Sequence, residues 1–490
     1  MATTTPTTYM SGKISFSNVP QQRDNTTKDA RLINCFVETL KTGDGEVIQE
    51  YLMSRPGLEF QYTDTPNGTQ LPRGIYYWEG SIYTVNGPNL NKDGTTIQTL
   101  TTSFGPVGFV EFITSTNQKQ LVVLDRLKGY VISTAGVVTT ITDVDFPSPH
   151  VVYGVFLDGY LVVAKEGTGD IYNSDLDNPL AWTAGNFISA EMYPDDVVAL
   201  VKQANYIVSF GPQTIEYFYD VGNAVGTPFG RNPSAYHKVG TTSAYSISTF
   251  EEKIIFVGNA ALGGRTIFML DGFKLVDIGT PVIRRWLEFQ GSQITEVAGF
   301  VTRSKGHAFY VMNLLGTSGL AADRRTFVYD LMENKWHEWR NADQTSSFDA
   351  DFATDHPSGQ SWIIGRFTGA VCKFSDILSV DQDSASTSTT IKVTATTPAI
   401  DFGTMNRKFA NRFTFVCTIP TTPGNSSIQL QYSDDDYQTW STARTVTINN
   451  VMNVLHQLGQ FRRRAWRFTY NSPYPFRLEG AELQYNLGST

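Results

Sequence analysis

Asp349, Asp351 and Asp355 lie within SFDADFATD, and an extended chain there sets Asp349 and Asp351 on one strand face. Two carboxylates so placed could share a cation or divide into an acid and a base. A solvated strand face is the simpler reading. Carboxylates are plentiful elsewhere, as at Asp195, Asp196, Asp381 and Asp383. The six histidines, at 150, 237, 307, 337, 356 and 456, show neither H-x-x-x-H nor H-E-x-x-H spacing, and there is no G-x-S-x-G elbow or P-loop. Cys35, Cys372 and Cys417 are too few and too scattered for a disulfide framework or a zinc site. They read as small buried hydrophobes of a chain folded in a reducing cytoplasm. No metal and no cofactor is expected.

The stretch YSDDDYQTWS carries Ser433, Asp435, Thr439 and Trp440 at most of the spacing of S-x-D-x-G-x-T-W. That is the Asp-box hairpin that sialidases repeat on propeller blades. In it the Ser and Asp side chains bond backbone groups of a tight turn, and the Trp covers the turn. The glycine position holds Tyr437, a bulky residue that a positive φ would strain. A sialidase also needs three arginines around a sugar carboxylate and a Tyr–Glu nucleophile pair, and no such set stands out along the chain. The four residues are therefore read as a structural turn, with a propeller glycosidase acting on surface polysaccharide as the alternative.

The sharpest charge feature is QFRRRAWRF, with Arg462, Arg463, Arg464 and Arg467 around Trp466 in a chain of net charge −9. Strand alternation would put Arg463 and Arg467 on one face and Arg462, Arg464 and Trp466 on the other. Ion pairs within a domain or across a subunit contact fit better than DNA contact, because Asp434, Asp435 and Asp436 lie nearby in sequence and the acidic total offers nucleic acid no bulk attraction.

Positioning such residues falls to strands. Of 490 residues, 41% are hydrophobic and 13% aromatic, but only 17% are charged, against roughly 25% in ordinary globular domains. From about 73 to 376 one unit recurs: strand, short turn, a more apolar strand, turn, then an outer strand with aromatics. First strands are expected near 73, 108, 151, 196, 244, 294 and 346. A period of about 40 to 50 residues is that of propeller blades. Apolar second strands such as 121–124 and 254–257 should lie inside blades, and EG at 79–80 with DG at 158–159 and 271–272 should make the hairpin turns. The one helical candidate is PVIRRWLEF (281–289), with Pro281 at its first turn and Val282, Trp286 and Phe289 sharing a face. The expected fold is all-β: a six- or seven-bladed β-propeller (71–376), a linker (377–395) and a C-terminal β-sandwich (396–490). N-terminal strands (1–70) would join the two by packing on the sandwich or closing the ring. No signal-peptide pattern opens the chain and no apolar run approaches the roughly 20 residues of a membrane span, so no membrane insertion is expected.

FGPQTIEYFYDVGNA (210–224) closely resembles a recurring segment of the packaged-DNA stabilisation proteins, or tail hub (nozzle) proteins, of short-tailed bacteriophages. RLINCFVE with SRPGLE (31–38, 54–59), YSDDDYQTW, and VLHQLGQFRRRAWRFTYNSPYPFRLEGAELQY (454–485) are similar to that family's other motifs, in order over nearly the whole chain. The resemblance implies a virion tail protein without catalysis, made in the bacterial cytoplasm. Such proteins form a homo-oligomeric ring, typically a hexamer, below the portal and its head-to-tail adaptor. The ring extends the channel for double-stranded DNA without reading its sequence. It meets a needle or plug and carries tailspikes or fibres. The residues expected at subunit or partner interfaces are Arg31, Arg55, Arg462, Arg463, Arg464, Trp466 and Arg467.

Overall fold

A computed structural model describes residues 10–14, 30–42, 46–64, 71–223, 225–260, 264–314, 324–366, 368–419 and 426–488. Among these, seven sheets succeed one another as blades. The first is a meander of Pro72–Trp78, Ser81–Asn86, Asn89–Lys92 and Thr95–Thr99. The innermost strands of the next six are Gly108–Ile113, Val155–Leu157, Ala199–Gln203, Ser248–Phe250, Ala298–Ser304 and Phe352–Thr354. Phe352–Thr354 packs against Pro72–Trp78, so the last blade meets the first. Of the two counts the spacing allowed, seven is observed. The second strands are the most apolar because they are covered on both faces. Leu121, Val122, Val123 and Leu124 are fully buried, as are Ile255 and Phe256. Two of the turn dipeptides adopt the positive φ that hairpins need, Glu79 and Gly80 at 44° and 84° and Asp158 and Gly159 at 49° and 87°; at 271–272 only Gly272 does, at 58°, because Asp271 still belongs to the strand.

The seventh blade takes three strands from its own stretch of chain, Phe352–Thr354, Trp362–Ile364 and Ala370–Ser375. Its fourth is Gly57–Thr63, antiparallel to Ala370–Ser375. An N-terminal strand thus closes the ring, and the unpaired edge that an open last blade would leave is covered.

The C-terminal region is two packed sheets. One contains Cys35–Lys41, Val47–Ser54, Arg477–Leu487, Lys408–Cys417 and Met452–His456. The other is continuous with the sixth blade: its outer strand Lys335–Trp339 is bridged by Arg31–Ile33 to Val393–Thr396, then to Ala465–Tyr470 and Ser427–Ser433. Phe413, Phe415, Trp466, Phe468 and Leu483 form the core between them. The strap strands supply Cys35, Val37 and Leu52 to that core and Phe36 to a second one with Phe309, Trp339 and Phe374 of the propeller. Neighbouring side chains of one strand therefore point into two domains, as alternation dictates.

Two expectations need revision. Residues 377–395 are not a bare linker: Val380–Gln382 runs beside Gly57–Thr63, and Ser388–Thr390 pairs with it as a hairpin. The helix Pro281–Phe289 forms with Thr280 as its cap and Pro281 at its start, but its buried face is Ile283 and Leu287. Trp286 packs at the edge of the blade core against Phe327, while Phe289 is exposed.

Candidate functional site

A buried polar construction sits where strap, blades six and seven, and sandwich meet. Arg55 follows the strand Val47–Ser54 and is fully buried. Its guanidinium grips Asp381 at both oxygens, at 2.9 and 2.5 Å, and donates to Asn34 Oδ1 and to the carbonyls of Pro56 and Arg340. The ring of Phe348 lies 5.2 Å from its centre. Asn34, at φ 57°, breaks the strand run between Ile33 and Cys35. Its Oδ1 also accepts from Arg340 N, and its Nδ2 donates to the carbonyls of Asn341 and Lys392. Two side chains thus tie together segments more than 300 positions apart. Asp381 and Asn34 carried no spacing signal; the one clue was an Asn, which tolerates a left-handed backbone, interrupting an apolar strand.

Arg55 is therefore not an interface residue: every nitrogen of its guanidinium is committed inside the chain. Arg464 is corrected for the same reason. It is 1% exposed, holds Asp434 at 2.6 and 2.7 Å, donates to the carbonyls of Leu458 and Gln460, and lies 3.7 Å from the Tyr432 ring centre. Trp466 is wholly buried in the sandwich core. Arg467, on the opposite face from Trp466, stacks 3.6 Å over Trp440. Arg31 and Arg467 both lie opposite Thr396, in one cross-strand row, and both are half-buried. Burial, with the charge of Arg31 beside it, lowers the pKa of Arg467. Arg462 and Arg463 are exposed together, donating to the carbonyls of Met405 and Ala399. Alternation misplaced Arg462 because residues 462–464 bend between two strands rather than continue one.

The hairpin at 433–440 is built as an Asp box. Ser433 Oγ accepts from Tyr437 N, and Asp435 accepts from Ser433 Oγ, Thr439 N and Thr439 Oγ1. These donors hold the Asp435 carboxyl at about 2. Tyr437 does adopt φ 68°, and its buried ring and a hydroxyl bond to the Thr397 carbonyl compensate.

One end of the propeller axis opens into a cavity of about 640 Å³ lined by Arg73, Tyr245, Glu296, Asp351 and Arg366. Two arginines fall short of the three that a sialidase site needs, and both are already engaged by the chain. Arg73 donates to the carbonyls of Gly87, Thr102 and Gly105 and to Thr102 Oγ1. Arg366 pairs with Asp351 at 2.7 Å. Burial pushes the Tyr245 phenol up, away from the activation a nucleophile requires. Asp351 is engaged by Arg366, whereas Asp349 lines a cavity beside Asp381.

Residues 28–365 match the family model described as Bacteriophage P22 Gp10, beta-propeller. A curated relative, the tail hub protein gp10 of Salmonella phage P22, is 25% identical over 295 residues. That match covers 57% of this chain and 58% of the relative, less than two thirds of its length. Among solved structures, virginiamycin B lyase from Staphylococcus aureus aligns at TM-score 0.42 and 12% identity, covering 65% of this chain and 99% of the other. An exo-beta-1,3-galactanase from Phanerochaete chrysosporium aligns at 0.30 and 10%, covering 80% and 97%. Likenesses of that size do not enter the functional reading. With more than half its length matched in order by the family model, the chain belongs to the family of the phage P22 Gp10 β-propellers.

Proposed function

We propose that this protein is a structural component of a short-tailed phage virion, the tail hub or nozzle. It assembles as a ring, six copies being the expected number, below the portal and the head-to-tail adaptor. It lengthens the DNA channel, helps retain and deliver the packaged genome, and meets a needle or plug and the tailspikes or fibres. The family match over residues 28–365 is the observation that carries this reading. The geometry agrees with it. Propeller and sandwich share a continuous sheet and a buried polar lock, a construction suited to bearing load between partners rather than to opening around a substrate. The net charge of −9 lets double-stranded DNA slide past with weak repulsion, where a basic bore would hold it by releasing counterions. Catalysis has little support, since the arginines nearest the axial cavity are satisfied by the chain itself.

The test is a phage in which this gene is silenced. Heads should fill with DNA and then lose it to added nuclease, and purified protein added to fresh particles should restore protection. Particles that keep their DNA and infect without the protein refute the reading. Purified protein that depolymerises host surface polysaccharide would instead restore the glycosidase alternative.

A further inference from the structure

Two exposed faces of the chain carry large apolar side chains with opposite charge around them. The first lies at one edge of the sandwich. Met405, Phe409 and Leu487 are 57%, 43% and 41% exposed, and Lys408 pairs with Leu487 while Phe409 pairs with Gln460. Arg407, Arg462 and Arg463 surround them, all exposed; Arg462 donates to the Met405 carbonyl and Arg407 to Gln460 Oε1. The second is the stretch between blades three and four. Phe187, Met192 and Tyr193 are 40%, 39% and 45% exposed, flanked by the exposed Asp196 and by the exposed Glu191, which lies 3.7 Å from Arg231. That stretch is anchored by hydrogen bonds. Asp195 accepts from Gln213 N, Thr214 N and Thr214 Oγ1, and the buried Glu216 accepts from Met192 N. The FGPQTIE segment is thus the platform that presents the acidic, apolar face.

We infer that these two faces bind each other between neighbouring copies, the basic sandwich edge of one seating on the acidic edge of blades three and four of the next. The pairing rests on the tail-hub reading and names its subunit contact. Charge complementarity selects the partner: three arginines face Asp196 and a Glu191 that is 72% exposed beside its own Arg231, with apolar side chains on both sides to exclude water. Placement selects the symmetry. The sandwich is joined to blades six and seven, and in a seven-membered ring the gap between blades three and four lies across the axis from them. A contact between different patches of one chain is heterologous, the kind that closes into a ring when the rotation from copy to copy closes and runs on as a filament when it does not.

Charge reversal tests it on the full chain. Arg462→Glu with Arg463→Glu, or Glu191→Lys with Asp196→Lys, should each weaken self-association at least about tenfold by sedimentation or mass photometry. All four reversals in one chain should restore it to within about threefold. All four side chains are exposed, so unchanged thermal unfolding of each variant is expected and certifies the fold. Wild-type rings that both reversals leave intact, or that the combined variant fails to rescue, overturn this contact and leave the tail-hub reading standing. A wild type that stays monomeric at every concentration, with and without its adaptor, overturns the ring as well.

Discussion

At the junction, Arg55 and Asp381 are both out of water, with side chains 0% and 7% exposed, whereas in the sandwich the equally buried Arg464 holds an Asp434 that remains 40% exposed. Both pairs are bidentate, and both arginines lie against aromatic rings. The difference lies in what each connects. Arg55 reaches across 326 positions to the segment that runs beside the closing strand of blade seven; Arg464 reaches 30 positions within its own domain. A fully desolvated pair is strongly destabilising to break and contributes little over apolar residues of the same shape, so its value is in specifying which segments meet. A half-exposed pair can lose one partner to water at lower cost.

Breaking the first pair should therefore give the largest effect. Arg55→Ala leaves Asp381 buried without its cation and frees Asn34, Pro56 and Arg340 acceptors. The expected loss is about 3–5 kcal/mol, read by chemical denaturation. The comparison sharpens in the double variant Arg55→Met with Asp381→Leu, which should recover much of that loss. If the double variant is as damaged as Arg55→Ala, the pair contributes net stability and not only register. Arg464→Ala should cost about 2–3 kcal/mol, mostly lost packing on Tyr432 and Phe461 and the carbonyls it leaves bare, because Asp434 can rehydrate.

Acidification separates the regions by another route. His150 and His337 lie in the propeller, each wholly or almost wholly buried, and burial lowers both to about 4. The folded state keeps them neutral while the unfolded chain takes up protons below about 6.5, so stability is lost as pH falls from there toward 4. At pH 5 each contributes a loss of about 2 kcal/mol. His307 works in the opposite sense. Burial opposes its charge, but Asp330, bonded at 2.7 Å, raises it overall, giving stability that is present below about 6.5 and lost as pH rises through its folded value. For these three histidines together the expectation between pH 7 and 5 is a propeller loss of about 3 kcal/mol, because the gain at His307 is smaller than either loss. The sandwich, whose His456 is exposed, should hold. Thermal melts resolved by hydrogen exchange distinguish the two; a sandwich that softens first contradicts the assignment.

The blades were legible because each is a local meander whose alternation and turn residues are written within some forty positions. Ring closure was not. Gly57–Thr63 reads like any strand, and nothing local says that its partner is Ala370–Ser375. The same limit governed the arginines. Residue type announced a charge at Arg55, Arg462 and Arg464 alike, while burial was decided by distant Asp381 in one case and by a bend at 462–464 in the others. The four Asp-box residues were readable because their bonds lie within four positions of each other.

That hairpin supplies the smallest test, and its sign is informative. A glycine at 437 would remove a backbone strain of about 1 kcal/mol, the cost of a left-handed residue with a side chain. It would also remove a ring that is 8% exposed, worth about 1.5–3 kcal/mol of burial, and the hydroxyl bond to the Thr397 carbonyl, worth about 1. Tyr437→Gly should therefore destabilise the sandwich by about 1.5–3 kcal/mol, although it restores the residue that the motif favours. Tyr437→Phe, which keeps the ring and the strain, should cost only the hydroxyl bond. A stabilised glycine variant would mean that the turn, rather than the packing of its Tyr against the chain at Thr397, sets the local energy.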